Sequence, residues 1–139
     1  MNLAMLAAMV VAGVGAVVLA VHLSGGSVAA RLADPAAARA RFAIDFPDLA
    51  IGAVHLTADG GGAFLALGDG RVGIVKAVGD RFLTRVVSGP DLAAAPRLRD
   101  STLVLSLRDF TWPGGTFTFA GPDEARVVER LLAVLPARA

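Results

Sequence analysis

The chain has no cysteine among its 139 residues, which excludes disulfides, thiolate nucleophiles and cysteine-based zinc or iron–sulfur centres. A chain without thiols fits either side of a membrane, so the redox compartment is unmarked. An excess of one charge is lacking too, with 13 Lys and Arg against 12 Asp and Glu. No field of one sign therefore argues for a nucleic-acid partner. Histidine is scarce. His22 ends the first apolar run, which leaves His55 as the one imidazole of a folded domain, and alone it does not make a transition-metal site. Neither metal nor cofactor is expected. Ser24, Ser27, Ser88, Ser101 and Ser106 all lie outside a G-x-S-x-G elbow. "GDGRVG" at 68–73 lacks the P-loop lysine and the G-x-G-x-x-G spacing, so it reads as hairpin chemistry. Asp59, Asp69, Asp80 and Asp91 fall singly at expected turns, where Asp is a turn former. No catalytic set is expected.

Apolar surface is in excess, at 55% of residues, and much of it lies in the first 23. Residues 3–23, "LAMLAAMVVAGVGAVVLAVHL", carry no Lys, Arg, Asp or Glu. At ~1.5 Å per residue they span ~31 Å, the thickness of a bilayer's hydrocarbon core. A cleaved signal peptide is the rival reading. It would want basic residues before the apolar run and a shorter one, although "SVAA" at 27–30 offers a small-residue cleavage site. Arg31, Arg39 and Arg41 follow the helix and none precedes it, so the positive-inside bias puts the remaining chain in the cytoplasm, with the periplasm as alternative. One Lys among 13 basic residues, with abundant Ala, Gly and Arg, fits a GC-rich bacterial genome and hence a bacterial inner membrane. Small residues recur at Ala4, Ala8, Ala12, Ala16 and Ala20. The ladder drifts ~40° per rung, so two or three rungs such as Ala8, Ala12 and Ala16 can meet one crossing helix. Chance phase in an alanine-rich helix is the other reading.

"SGGS" at 24–27 reads as a flexible joint within a linker over 24–33, ahead of a globular domain over 34–139. Asp34-Pro35 is an N-cap followed by a favoured first helical residue, which predicts a helix over 35–45 with an apolar stripe of Ala38, Phe42 and Ile44. From Ala50 the period becomes two. Strands are expected at 50–57, 62–68, 71–78, 81–88, 96–99, 102–109 and 115–120, with two-residue turns at Asp69-Gly70 and Gly79-Asp80. Pro90, Pro96 and three alanines divide the strands into two groups. "GPDEARVVERLLAVLP" predicts an amphipathic helix over 122–135 whose inner face is Ala125, Val128, Leu131, Leu132 and Leu135. The expected class is α+β: a transmembrane helix, then an antiparallel sheet or partly open barrel of six or seven strands, then a closing helix.

Four strands, a break, three more strands and a C-terminal helix over 50–135 resemble the pleckstrin-homology-like domain, including its bacterial relatives. The resemblance rests on element order, and the helix at 35–45 departs from the minimal pattern. It implies a bent barrel plugged by the last helix; some members bind phosphoinositide headgroups through basic residues near the first hairpins, and many bind proteins. The whole chain is also similar to small single-pass bacterial membrane proteins.

With both two-residue turns in place, cross-strand partners share a face. One face then holds Phe64, Ala66, Gly73, Val75, Ala77, Phe82, Thr84 and Val86. The other holds Leu65, Leu67, Val72, Ile74, Leu83 and Val87 with the basic trio Lys76, Arg81 and Arg85. An apolar face of that size needs a cover: the 35–45 helix, a second copy, or the membrane. The expected role is a membrane-anchored, non-enzymatic module that meets a protein partner or its own copy through Leu65, Leu67, Val72, Ile74 and Leu83. The alternative is an anionic-lipid headgroup site at Lys76, Arg81 and Arg85. Near Arg108, Phe110 and Trp112 read either as stacking groups for a ligand ring or as core packing.

Overall fold

The apolar run forms helix α1, Leu3–Leu23, capped where the Asn2 side chain accepts from the Met5 N–H at 2.8 Å. The computed structural model describes the backbone of residues 2–23 and 30–137 and the side chains of 2–20 and 30–137. The joint at 24–27 and the His22 side chain lie outside these. Leu3–Ala20 is long and apolar enough to cross a membrane, and Ala8, Ala12 and Ala16 are exposed along it.

Helix α2, Pro35–Asp45, starts as its sequence requires, with Asp34 accepting from the Ala37 N–H at 2.8 Å. Ala38 and Phe42 are buried, but Ile44 is 72% exposed. Two residues on from Phe42 is ~200° around a helix, so Ile44 cannot share its stripe. Phe46 takes the place instead, stacked on Phe42 at 4.9 Å between ring centroids.

Strands β1 (Ile51–Leu56), β2 (Gly62–Leu67), β3 (Val72–Val78) and β4 (Arg81–Val87) form one antiparallel sheet in sequence order. A 3-10 turn at Gly89–Asp91 leads through the proline-rich break to a second sheet of β5 (Arg97–Arg99), β6 (Thr102–Ser106) and β7 (Gly114–Thr118). Helix α3, Pro122–Ala133, closes the chain and buries Ala125, Val128 and Leu132. The architecture is α+β, with two sheets that do not close into a barrel.

The first sheet is the middle layer. On one face Ala63, Leu65, Leu67 and Val75 pack with Leu32, Ala38 and Phe42. On the other, Phe64, Val72, Ile74 and Val87 pack with Leu103, Leu105, Leu107, Phe117 and Phe119 of the second sheet and with α3. Burial on both sides explains why "GAFLAL" reads as a continuous apolar run rather than an alternation.

The second hairpin turns at two residues as the sequence implies, with Val78 opposite Arg81 and Gly79 at φ +63°. The first does not. Leu67 N–H donates to Arg71 O and Gly70 N–H to Leu67 O, each at 3.0 Å, which closes a three-residue loop with Gly70 at φ +88°. Phe64 therefore faces Ile74 rather than Val75. One extra loop residue turns β2 over relative to β3 and β4. Leu65 and Leu67 lie under α2, Val72 and Ile74 lie under the second sheet, and Leu83 is half-buried on that second side. The five do not form an exposed interaction face. The cover on the basic side is the second sheet and α3, not α2, a second copy or a membrane.

The domain also begins before Asp34. Ala30 N–H donates to Gly79 O and Leu32 N–H to Gly60 O, both at 2.8 Å, and Leu32 is buried. Segment 30–32 is thereby fastened to two turns at one end of the sheet.

Candidate functional site

Lys76, Arg81 and Arg85 do project from one face of the β3–β4 hairpin, since 76 pairs with 83, 78 with 81 and 74 with 85. They are not three free cations. Arg85 donates through Nε to Asp109 Oδ2 at 2.8 Å, through Nη2 to Thr111 Oγ1 at 3.0 Å, and through Nη1 to its neighbour Thr84 O at 2.8 Å. Lys76 Nζ sits 5.2 Å from the centroid of the buried Phe117 ring, a cation–π arrangement. Arg81 remains exposed, with no ion pair among the described residues. The trio works as a tie between sheets plus one solvated charge.

The arginines also close strand edges. Arg39 donates to Ile51 O at 3.1 Å and to Gly52 O, on β1. Arg41 donates to Phe82 O at 3.3 Å, on β4. Both edge strands of the first sheet thus have carbonyls occupied by guanidinium groups, which protects them against pairing with another chain. Arg41 also pairs with Asp45 at 3.0 Å, and Asp45 accepts from Thr84 Oγ1. That hydroxyl, more than Arg41, holds the Asp45 carboxyl below its ordinary value, against a smaller opposing effect of burial.

A second surface stands at the corner between β6 and β7. Asp109 Oδ1 accepts from Thr111 N–H at 2.9 Å, Thr111 Oγ1 at 2.8 Å and Trp112 N–H at 3.1 Å. With Arg85 on its other oxygen, the Asp109 carboxyl lies far below the ordinary carboxylate range, chiefly through Arg85 and then the Thr111 hydroxyl. Leu107 N–H bonds Pro113 O and Arg108 N–H bonds Asp91 O, each at 2.8 Å. The corner is therefore stiff. Trp112 is half-buried, edge-on to Phe117 at 6.2 Å, so it is core packing. Phe110 is not: it is fully exposed, at 103%. Beside it lies the solvent face of the second sheet, with Arg97, Arg99, Val104, Thr116 and Thr118 exposed. A small cavity of about 60 Å³ lies between this corner and β4, lined on its two sides by Arg85 and Asp109.

The other features do not converge. His55 Nδ1 lies 3.2 Å from Glu124 Oε1, a tie between β1 and α3. Two shallow depressions of about 280 and 290 Å³ adjoin at Asp48 and Leu49; the one cation lining them, Arg71, is bonded to Asp69 at 2.7 Å. Among the described residues no three His, Asp or Glu side chains come together. Asp109 was not singled out in the sequence, although "DFTW" carries an Asx-turn signal, an Asp two residues before a Thr. Compared with family models, with curated proteins and with solved structures, the chain finds no match in any of the three.

Proposed function

We propose that this protein is a single-pass inner-membrane protein of a bacterium whose cytoplasmic domain is a pleckstrin-homology-like interaction module, non-enzymatic and directed at a protein partner. Element order supports the fold reading: four strands, a break, three strands and a closing amphipathic helix. The apolar helix α1 supports the anchor, and the arginines that follow it support the orientation. The docking surface is the Phe110 corner with the adjoining solvent face of the second sheet. One observation carries this choice: a fully exposed Phe on a loop held by one carboxylate. An aromatic side chain on a stiff backbone loses little conformational freedom on binding, which is the property of an interface anchor.

The headgroup reading is the lesser one. With Arg85 and Lys76 engaged, Arg81 is left to contribute roughly 1 kcal/mol near an anionic surface. A photo-crosslinking residue placed at Phe110 of the full chain, in membranes of its source, tests the main reading. A discrete adduct from position 110, absent from position Ile44, is expected. Equal labelling at both, or none at either, refutes it.

A further inference from the structure

We infer that the tip of the β3–β4 hairpin, Val78 to Arg81, is held against the surface of the bilayer that α1 crosses. The inference rests on the reading of α1 as a membrane span. Leu23 ends α1, and seven peptide steps later the Ala30 N–H is bonded to Gly79 O. An extended chain advances at most ~3.6 Å per step, so whatever path residues 24–29 take, Ala30 lies within about 25 Å of the end of the span. The headgroup layer outside the hydrocarbon takes up ~6 Å of that reach. Leu32 is bonded to Gly60 and buried, so the docked segment cannot swing away from the domain to lengthen the tether. The end of the first sheet that carries this tip and the β1–β2 turn is thereby the end tethered to the membrane, with the tip bonded to the residue nearer the span.

Its surface suits that place. Val78 is 56% exposed, an apolar side chain at a tip where water would otherwise be its neighbour. Arg81 is exposed in the same turn with Asp80 as its acid, and Arg31, whose side chain lies over Gly60, is exposed at the neighbouring β1–β2 turn with Asp59. Two arginines against two aspartates leave this end of the sheet without a net charge, so the tether and not the charge sets the position. The opposite end of the sheet is differently occupied. Gly70, in the β2–β3 loop, lies beside Pro136, and Pro136 O accepts from Gly89 N–H at 2.8 Å. The C-terminal end of α3, with exposed Val134, is therefore at the far end of β3, ~20 Å from Gly79 along a seven-residue strand.

The absence of native cysteine permits single-site labelling of the full chain. Val14→Cys, Val78→Cys and Val134→Cys would each carry an environment-sensitive fluorophore in vesicles of zwitterionic lipid. Nitroxide lipids would quench at the headgroup or deep in the acyl region. Deep quenching at 14, headgroup quenching at 78 severalfold stronger than at 134, and no loss of it in high salt are expected. Quenching at 14 with 78 no stronger than 134 overturns the inference and leaves the anchor standing. No quenching at 14 removes the anchor and the inference together. Quenching at 78 that appears only with anionic lipid and vanishes in salt overturns the tether argument.

Discussion

Phe42 and Gly73 make the sharpest test of how the layers depend on one another. The Phe42 ring abuts Gly73: a Cβ built there would stand 2.6 Å from Cε2 and 2.7 Å from Cζ of that ring. Phe42 is fully buried, and a Phe→Ala change at such a site costs about 3–5 kcal/mol. A domain of this size has about 5–15 kcal/mol in all, so Phe42→Ala removes a large share. Gly73→Ala alone forces the ring aside and costs about 1–3 kcal/mol. In the Phe42→Ala background the new methyl enters vacated space, and alanine in a strand is better than glycine by about 0.5–1 kcal/mol. The sign of the Gly73 effect therefore reverses, with a coupling of about 2 kcal/mol. Urea unfolding of the full chain in mild detergent, followed by Trp112 fluorescence and by far-ultraviolet circular dichroism, measures this. Trp112 packs in the cluster on the opposite face of the first sheet from Phe42. Its transition should nonetheless move with Phe42→Ala, because both clusters share the middle layer. Additive effects of the two substitutions would refute the packing argument. A Trp112 midpoint that stays in place while helix signal is lost would refute the shared layer.

Other consequences follow from the same geometry. The Asp109 carboxyl has a folded-state pKa well below its ordinary 3.8, so its contribution is present above the unfolded value and lost as pH falls below it. Asp109→Asn should weaken the domain at neutral pH and flatten its acid unfolding curve, read by Trp112 fluorescence; an unchanged curve would reject the Arg85–Asp109 tie. Arg39→Gln uncovers the Ile51 and Gly52 carbonyls of β1, and concentration-dependent association by light scattering in detergent should rise; unchanged scattering would mean the edge needs no guard. Phe110→Ala touches no core group, so its unfolding midpoint should stay within about 0.5 kcal/mol of the parent while partner adducts at neighbouring exposed positions disappear. A large loss of stability would place Phe110 in the fold rather than at an interface.

The sequence made the elements legible because each is marked by local chemistry. Asp34-Pro35 and Gly121-Pro122 start helices, Pro47 and Pro136 follow their ends, and every strand centre lies within about two residues of the expected one. What it concealed was which way each strand faces. Asp69-Gly70 fits a two-residue turn and equally a three-residue loop with glycine last, and the choice depends on packing far from the turn. In the structure Phe64 enters the cluster with Phe117 and Phe119, while Leu65 goes beneath Phe42. Both alternations of β2 are apolar, "GAFLAL", so periodicity held no information about the choice. The same ambiguity misplaced the candidate site. A sheet read as open on one side leaves Leu65, Leu67, Val72, Ile74 and Leu83 looking for a partner, whereas a sheet buried on both sides has none to offer.

That burial decides where any partner must go. With α2 on one face of the first sheet and the second sheet with α3 on the other, neither face of that sheet is open, and the exposed surfaces are the strand ends, the outer sides of α2 and α3 and the outer face of β5–β7. One end is tied to the segment that follows α1, since the Ala30 N–H donates to Gly79 O of the β3–β4 turn and lies seven residues beyond Leu23. The guanidinium groups of Arg39 and Arg41 occupy carbonyls on β1 and β4. Among the described residues no guanidinium group occupies a carbonyl of β5–β7, and at the corner of that sheet Asp109 and Arg85 hold the loop that keeps Phe110 in water. An exposed Phe costs hydrophobic free energy that a polar residue at the same tip would not. The hydrogen bonds of Asp109 stiffen the loop without covering that ring, which is why the proposed docking surface is placed there.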